Sequence, residues 1–390
     1  MASALQKHQF TIILSVFQAL FFVLFGLFAK YDEASSPNTS GTDEILPLAK
    51  SYPTFQDTHV MIFIGFGFLM TFLRRYGFSA LSINMLLATF TIEYSIIVRG
   101  FLEHSFKEHG HFEIGLEQIL TADFAAAVVL ISMGAMLGKL SPVQYLIMTI
   151  FEIPVACAAE HYVVHELKIN DVGGSIIVHA FGAYFGLACS RAFAKKEQRS
   201  HENEGSNYHS DTFAMIVANV CLSPLHAIVI GFIAGAISVL GYRYLTPYLS
   251  NKLGFHDTCG VHNLHGMPAI IAAIASVAMA LHYEPSRYGS SLNIIYPGMN
   301  STANTAGFDQ TVQATHQAAA LGIVLLAAIV SGFITGFVLK LKFWNQVREK
   351  ENFADADYFE TPSDYDFTTR IASCIDHVDI TERTPLQKQV

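Results

Sequence analysis

Two histidines of this 390-residue chain stand in matching surroundings. Asp171-Val-Gly-Gly174-Ser-Ile-Ile-Val-His179 and Asp257-Thr-Cys-Gly260-Val-His-Asn-Leu-His265 both read D-x-x-G-x-x-x-x-H. On a helix, the aspartate of such a segment sits near the N-terminus, where a carboxylate caps free N–H groups and suits the dipole. The histidine lies eight residues on, about 12 Å deeper by helical rise. An imidazole in hydrocarbon is disfavoured as a cation, and the neutral ring offers one donor and one acceptor. Two rings facing each other can share a proton and present a polar edge to a small neutral polar molecule. Each aspartate reads first as a structural cap, with direct substrate contact as the alternative. Three matching positions also arise by chance in a Gly-rich chain, and a lone histidine is more often a packing residue, so the weight rests on the pair.

The elements that must hold these residues belong to a membrane protein. Apolar residues make up 52% of the chain and charged ones only 14%, where a soluble protein carries about 25% charge. The solvent for most of the chain is therefore a lipid bilayer. The net charge of −9 comes from acids in loops and in the last forty residues, which argues against a nucleic-acid binder. The five cysteines form no CxxC pair, so neither a disulfide framework nor a structural zinc site is indicated.

A bilayer core needs about 20 apolar residues per helix. That ruler finds Phe10 to Ala29, Val60 to Leu73, Phe78 to Val98, Ile119 to Leu137, Val143 to Val164 and Gly173 to Phe193. After a polar gap it finds Ala227 to Leu245, Gly260 to His282 and Ala318 to Leu341, nine spans in all. The first is read as a retained helix rather than a signal peptide, since no small-residue cleavage site follows it. Lys7, Arg74, Arg75, Lys139 and the Arg191 to Arg199 loop alternate as the positive-inside rule asks, with the N-terminus in the cytoplasm. The sequons at Asn38 and Asn300 fall in loops assigned to the outside. Beyond residue 200 the parity fails. Arg199 and Arg243 both ask for the cytoplasm, yet only one full-length run lies between them. Phe213 to Leu222 is apolar but too short to cross as a helix.

Ionisable groups inside spans are costly and mark function by default. They are Asp123, Glu160, Asp171, His179, Asp257 and His265, with Glu93 and His262 less firmly placed. If the two histidine motifs begin on opposite sides, the copies are inverted, and a substrate path then lies between them near the midplane. Phe124, beside Asp123, offers a ring face that could guard a pore. His104, His109 and His111 fit no defined metal geometry and read as a solvated loop.

The stretch from Phe55 to Ser79, Ala122-Asp-Phe124, the two histidine motifs and Phe353-Ala-Asp-Ala-Asp-Tyr-Phe-Glu-Thr-Pro362 together resemble the Rh glycoprotein branch of the ammonium transporter family. The resemblance covers about residues 10 to 365. It implies an all-α, polytopic helical bundle with inverted repeats, in the plasma membrane, with both termini cytoplasmic. It implies a homotrimer, or a mixed trimer with relatives, whose subunits each pass ammonia drawn from ammonium, and carbon dioxide as a second passenger. No enzyme activity, cofactor or metal is implied. The twin pore histidines of the family match His179 and His265, and a gate phenylalanine matches Phe124. An acidic residue of the outer vestibule matches Glu160, the aspartate beneath the recruitment site matches Asp171, and an acid near the cytoplasmic mouth matches Asp211. Asp257 is its repeat-mate of Asp171, with a structural role.

The chain departs from the family near residues 217–223, where three further helices and a second gate phenylalanine are expected. Three missing crossings account for the failed parity. The division expected is a transmembrane domain over residues 1–345 with that internal deletion, then an acidic cytoplasmic tail over 346–390. With part of the pore wall gone, the chain is expected to conduct poorly. The alternative is a non-conducting truncated form that serves as a subunit or regulator of full-length relatives.

Overall fold

In a bilayer no water satisfies the backbone, so apolar runs must close their hydrogen bonds within helices. The computed structural model describes residues 4–35, 45–195, 198–199, 201, 203–206, 210, 214, 225–282, 284–299 and 307–355. Nine long helices are present among these residues. They are α1 (Ala4–Phe28), α2 (Ile45–Val60, continued by a π turn at Met61–Gly65), α3 (Gly77–Leu102), α4 (Leu116–Met136) and α5 (Pro142–His161, continued by a π turn at Tyr162–Glu166). Then follow α6 (a π turn at Ser175–Ala180 leading into Phe181–Phe193), α7 (Leu225–Leu240), α8 (a π turn at His262–Gly266 leading into Met267–His282) and α9 (Gln310–Leu339).

Eight of them are long and apolar enough to cross a membrane, against nine expected from the sequence. The ninth run, Ala227 to Leu245, lies on α7. The helix runs on from its 16 regular residues through the π turn at Gly241–Leu245, so the whole run is helical although it is not among the eight. The segment at 215–224, where the missing crossings are expected, is outside the described residues, as are Asn38, Asp211 and Asn300.

The centre of the bundle is α4 and α6, each 78% buried over its span, whereas α1 is 6% buried. Small residues make this centre possible. A Cβ at Gly182 or Gly186 of α6 would strike the α4 backbone at Val128 or Ser132, and one at Gly332 or Gly336 of α9 would strike the α6 backbone at Phe185 or Cys189. Two small-xxx-small faces thus let three helices pack backbone to backbone, which suits lipid, where no hydrophobic drive holds helices together.

The connecting segments sort to two ends. At one end, Gln9 donates to the Phe343 carbonyl, Arg75 to Asn203, Lys195 to Gln346, and Asp355 accepts from the Ser79 N–H. These are the segments that the positive-inside rule assigns to one side. Residues 346–355, expected to belong to a tail, pack on this end: Phe353 is fully buried, and its N–H donates to the Gly138 carbonyl. At the other end, a parallel two-strand pair joins β1 (Ala29–Tyr31) to β2 (Phe112–Ile114), and Gln313 and His316 of α9 hold the Lys168 and Leu167 carbonyls.

A buried polar cluster fastens the first end. Lys139 is fully buried and donates to the Ala135 and His256 carbonyls and to Ser190. Burial lowers its ammonium to about 8, against the pull of Asp257 and Glu204. Burial and the Lys139 charge likewise hold His256 below its ordinary value. The neutral His256 ring accepts at Nδ1 from Lys139 at 3.3 Å and donates from Nε2 to Glu204 at 2.8 Å, with Phe353 packed against it. A base whose folded value is depressed stabilises fully above its unfolded value, about 6.5, and loses that contribution as pH falls below it. Acidification from about pH 7.5 to about pH 5.5 should therefore loosen residues 344–355. Trp344, the sole tryptophan, donates to the Val338 carbonyl nearby, so its emission should shift to the red. A His256→Asn variant should flatten that response, and an unchanged response in the variant would count against this account.

Candidate functional site

The two repeated motifs fold alike. Asp171 accepts the Ser175 hydroxyl at 2.7 Å and the Ile176 and Ile177 N–H groups at 2.9 Å each. Asp257 accepts the Val261 and His262 N–H groups, also at 2.9 Å. Each carboxylate takes up donors that a helix start leaves free. The glycine of each motif has positive φ, 62° at Gly174 and 72° at Gly260, a conformation that side chains with a Cβ resist. After each glycine comes a π turn that carries the histidine, and π turns inside helices are common at functional sites.

The copies start from opposite ends. Asp257 belongs with the Lys139 cluster, whereas Asp171 follows Asn170, which is held by Gln317 of α9 at the other end. Running toward each other, α6 and α8 bring His179 Nδ1 and His265 Nδ1 to 3.1 Å. The ring planes differ by 3° and the centroids are 5.2 Å apart. Since the centroids are much farther apart than the nitrogens, the rings meet edge to edge. One Nδ1 donates and the other accepts. By elimination, the donor ring keeps a bare Nε2 and the acceptor ring an Nε2–H, so the neutral pair offers one acceptor and one donor to its surroundings. A cavity of about 510 Å³ opens onto both rings, lined also by Asp171, Ser175, Ser276 and Tyr296. Phe66 lies parallel to His265 at 6.2 Å.

The other residues singled out by sequence are placed elsewhere along this axis. Phe124 is partly exposed and borders a small void with Ala125, Glu160, Ile177 and Val178, the last being next to His179 in the chain. Its neighbour Asp123 is fully buried and paired to His59 Nδ1 at 3.1 Å. Glu160 is not a free carboxylate. Arg99 reaches it from α3 with Nη2 at 2.6 Å and Nε at 2.9 Å, and gives its Nη1–H to the Thr121 carbonyl. Glu93 accepts from Gln18 of α1, which ties two helices and leaves the site untouched.

Sequence reasoning missed Arg99 and His59 as partners. Arg99 stands just past the third apolar run and His59 just before the second, so neither was counted inside the hydrocarbon. The signal available was the unpaired acid: Asp123 and Glu160 each demanded a cation.

The Ammonium Transporter Family matches residues 20–218 and 217–360 of the chain. The ammonium transporter Rh type B-B of Xenopus laevis is 37% identical over 426 residues, covering 88% of this chain and 91% of that protein. The ammonium transporter Rh type C of Canis lupus familiaris is 34% identical over 435 residues, covering 89% and 92%. Both alignments run longer than the 390 residues of the chain, so the relatives hold residues without counterparts here. Among solved structures, the Rh50 protein of Nitrosomonas europaea superposes with a TM-score of 0.64 at 26% identity, covering 88% of this chain and 99% of that one. A sensor Amt protein matches in fold, with a TM-score of 0.56 at 13% identity.

Proposed function

Because the chain belongs to the ammonium transporter family and is a multi-pass membrane protein, we propose that it is a facilitator of ammonia drawn from ammonium, with His179 and His265 at the centre of its path. The observation that carries this reading is the 3.1 Å contact between two histidines delivered by oppositely directed copies of one motif. Ammonium that reaches the path sheds its proton, since carrying a charge through hydrocarbon costs far more than carrying a neutral molecule. Ammonia both donates and accepts hydrogen bonds, and the neutral pair supplies one partner of each kind. Carbon dioxide has no donor and would engage only the Nε2–H, so ammonia is the passenger this arrangement favours. Asp171 serves by capping the helix that carries His179, and Phe124 by closing the approach beside Val178. The plasma membrane, cytoplasmic termini and a homotrimer or mixed trimer go with this reading.

The second reading, a poorly conducting subunit of full-length relatives, is favoured by one observation. The family match comes in two segments that meet at residues 217 and 218, with relatives holding extra residues. Reconstitution separates the two. Under the first reading, liposomes containing the purified chain alkalinise on an inward ammonium gradient several times faster than empty liposomes. Flux equal to empty liposomes, with the chain co-purifying with a full-length Rh relative, would establish the second instead.

A further inference from the structure

Away from the His179–His265 path, one place gathers metal-binding side chains around open space. His161 ends the regular part of α5 and His165 follows four residues later in the π turn at Tyr162–Glu166. Their ring centroids lie 4.5 Å apart, with planes tilted by 42°. Both rings line a second cavity of about 330 Å³, together with Glu103, Glu113 and Glu160. Burial holds the Glu103 carboxyl above its ordinary range, and this group feels both Glu113 and His165. Histidines four residues apart on one helical face are a recurring way to present two imidazole nitrogens to one metal ion. Imidazole suits copper, zinc and nickel, whereas carboxylates alone suit calcium and magnesium.

The geometry points to His161 and His165 as a two-nitrogen surface site for a divalent transition metal, Cu²⁺ or Zn²⁺, at the rim of this cavity. No three histidine, cysteine or acidic groups are already grouped as a metal centre among the described residues. The pair therefore supplies the protein's two nitrogens, and water completes the shell. The site lies on the face that also holds the Arg99–Glu160 pair, and its occupancy does not depend on whether the chain conducts.

Cu²⁺ is the probe, added to the full, tag-free chain in detergent at about pH 7.5, where imidazole is mostly neutral. The tightest site should show two-nitrogen coupling in the electron paramagnetic resonance spectrum. A His161→Gln/His165→Gln chain should lose that coupling and bind at least about tenfold more weakly, the scale on which lost metal-site partners act. A His104→Gln/His109→Gln/His111→Gln chain should keep both, and Ca²⁺ should not displace the ion. Should the double variant fail to fold, the parent chain still decides: Cu²⁺ should protect His161 and His165 from diethyl pyrocarbonate, read by mass spectrometry. Unchanged binding in the double variant, loss in the loop variant, displacement by Ca²⁺, or unprotected His161 and His165 would each overturn the site.

Discussion

A chain carrying both His179→Leu and His265→Leu should unfold no more readily than the parent, while its ammonia flux falls about tenfold or more. The two halves of this result have separate causes. In either single variant, the remaining imidazole keeps a nitrogen aimed at a partner that has gone. Leaving a buried polar group unpaired costs about 1–3 kcal/mol. In the double variant both polar partners are replaced by apolar groups of similar size, an exchange that is close to neutral. The path, by contrast, loses the donor and the acceptor that the two rings, joined through their Nδ1 atoms at 3.1 Å, leave on their Nε2 atoms. A polar molecule then crosses without compensation, and each hydrogen bond lost at about 1.4 kcal/mol slows passage about tenfold. Detergent-titration unfolding and liposome flux, measured on the four chains, give both quantities. A double variant that conducts like the parent would remove the histidines from the path. One less stable than both singles would show that their contact is packing, not polarity.

The second large effect is expected at Glu160. Both partners are about four-fifths covered, with side-chain exposures of 19% for Arg99 and 22% for Glu160. Breaking a buried pair by removing one member costs about 3–5 kcal/mol, and partial exposure places Glu160→Gln near or below the lower figure. A cation would remain enclosed among α3, α4 and α5, bonded to the Thr121 carbonyl but without its ion-pair partner. The Arg99→Met/Glu160→Met chain should recover most of the loss, since no unpaired charge remains. Transport should respond in an unfamiliar order. The carboxylate already has a resident cation, so freeing it with Arg99→Gln should lower the ammonium concentration at half-maximal flux. A double-mutant cycle with no coupling, or an Arg99→Gln chain with raised half-saturation, would refute this account.

What the sequence made legible and what it hid follow from the range of the forces involved. The histidine motifs were readable because caps, positive-φ glycines and helical rise act within ten residues, and each copy repeated the same local solution. The gathering of the basic segments at one end was readable because lysine and arginine in short loops are counted one loop at a time. Asp123 with His59 and Glu160 with Arg99 join residues 64 and 61 positions apart. Periodicity says which face a residue occupies, but not which helix stands opposite. The docking of Phe353 on Gly138 was hidden for the same reason, since an acidic composition marked residues 346–390 as a tail without saying where its first ten residues pack. The π turns were also invisible, since a one-residue widening of a helix leaves its apolar pattern almost unchanged.

The opposed directions of α6 and α8 carry a further consequence. A centre built from two copies of one motif, each started by its own aspartate at its own end, repeats the same backbone device toward both sides of the membrane. On the proposed reading, such a centre sets no preferred sense of passage by itself. It would hasten the approach to balance equally in both senses, and the difference in ammonia and protons across the membrane would choose the sense. Any rectification has to be imposed at the rims, where the copies stop resembling each other: the Arg99–Glu160 pair at one end, and the Lys139, His256 and Phe353 cluster at the other.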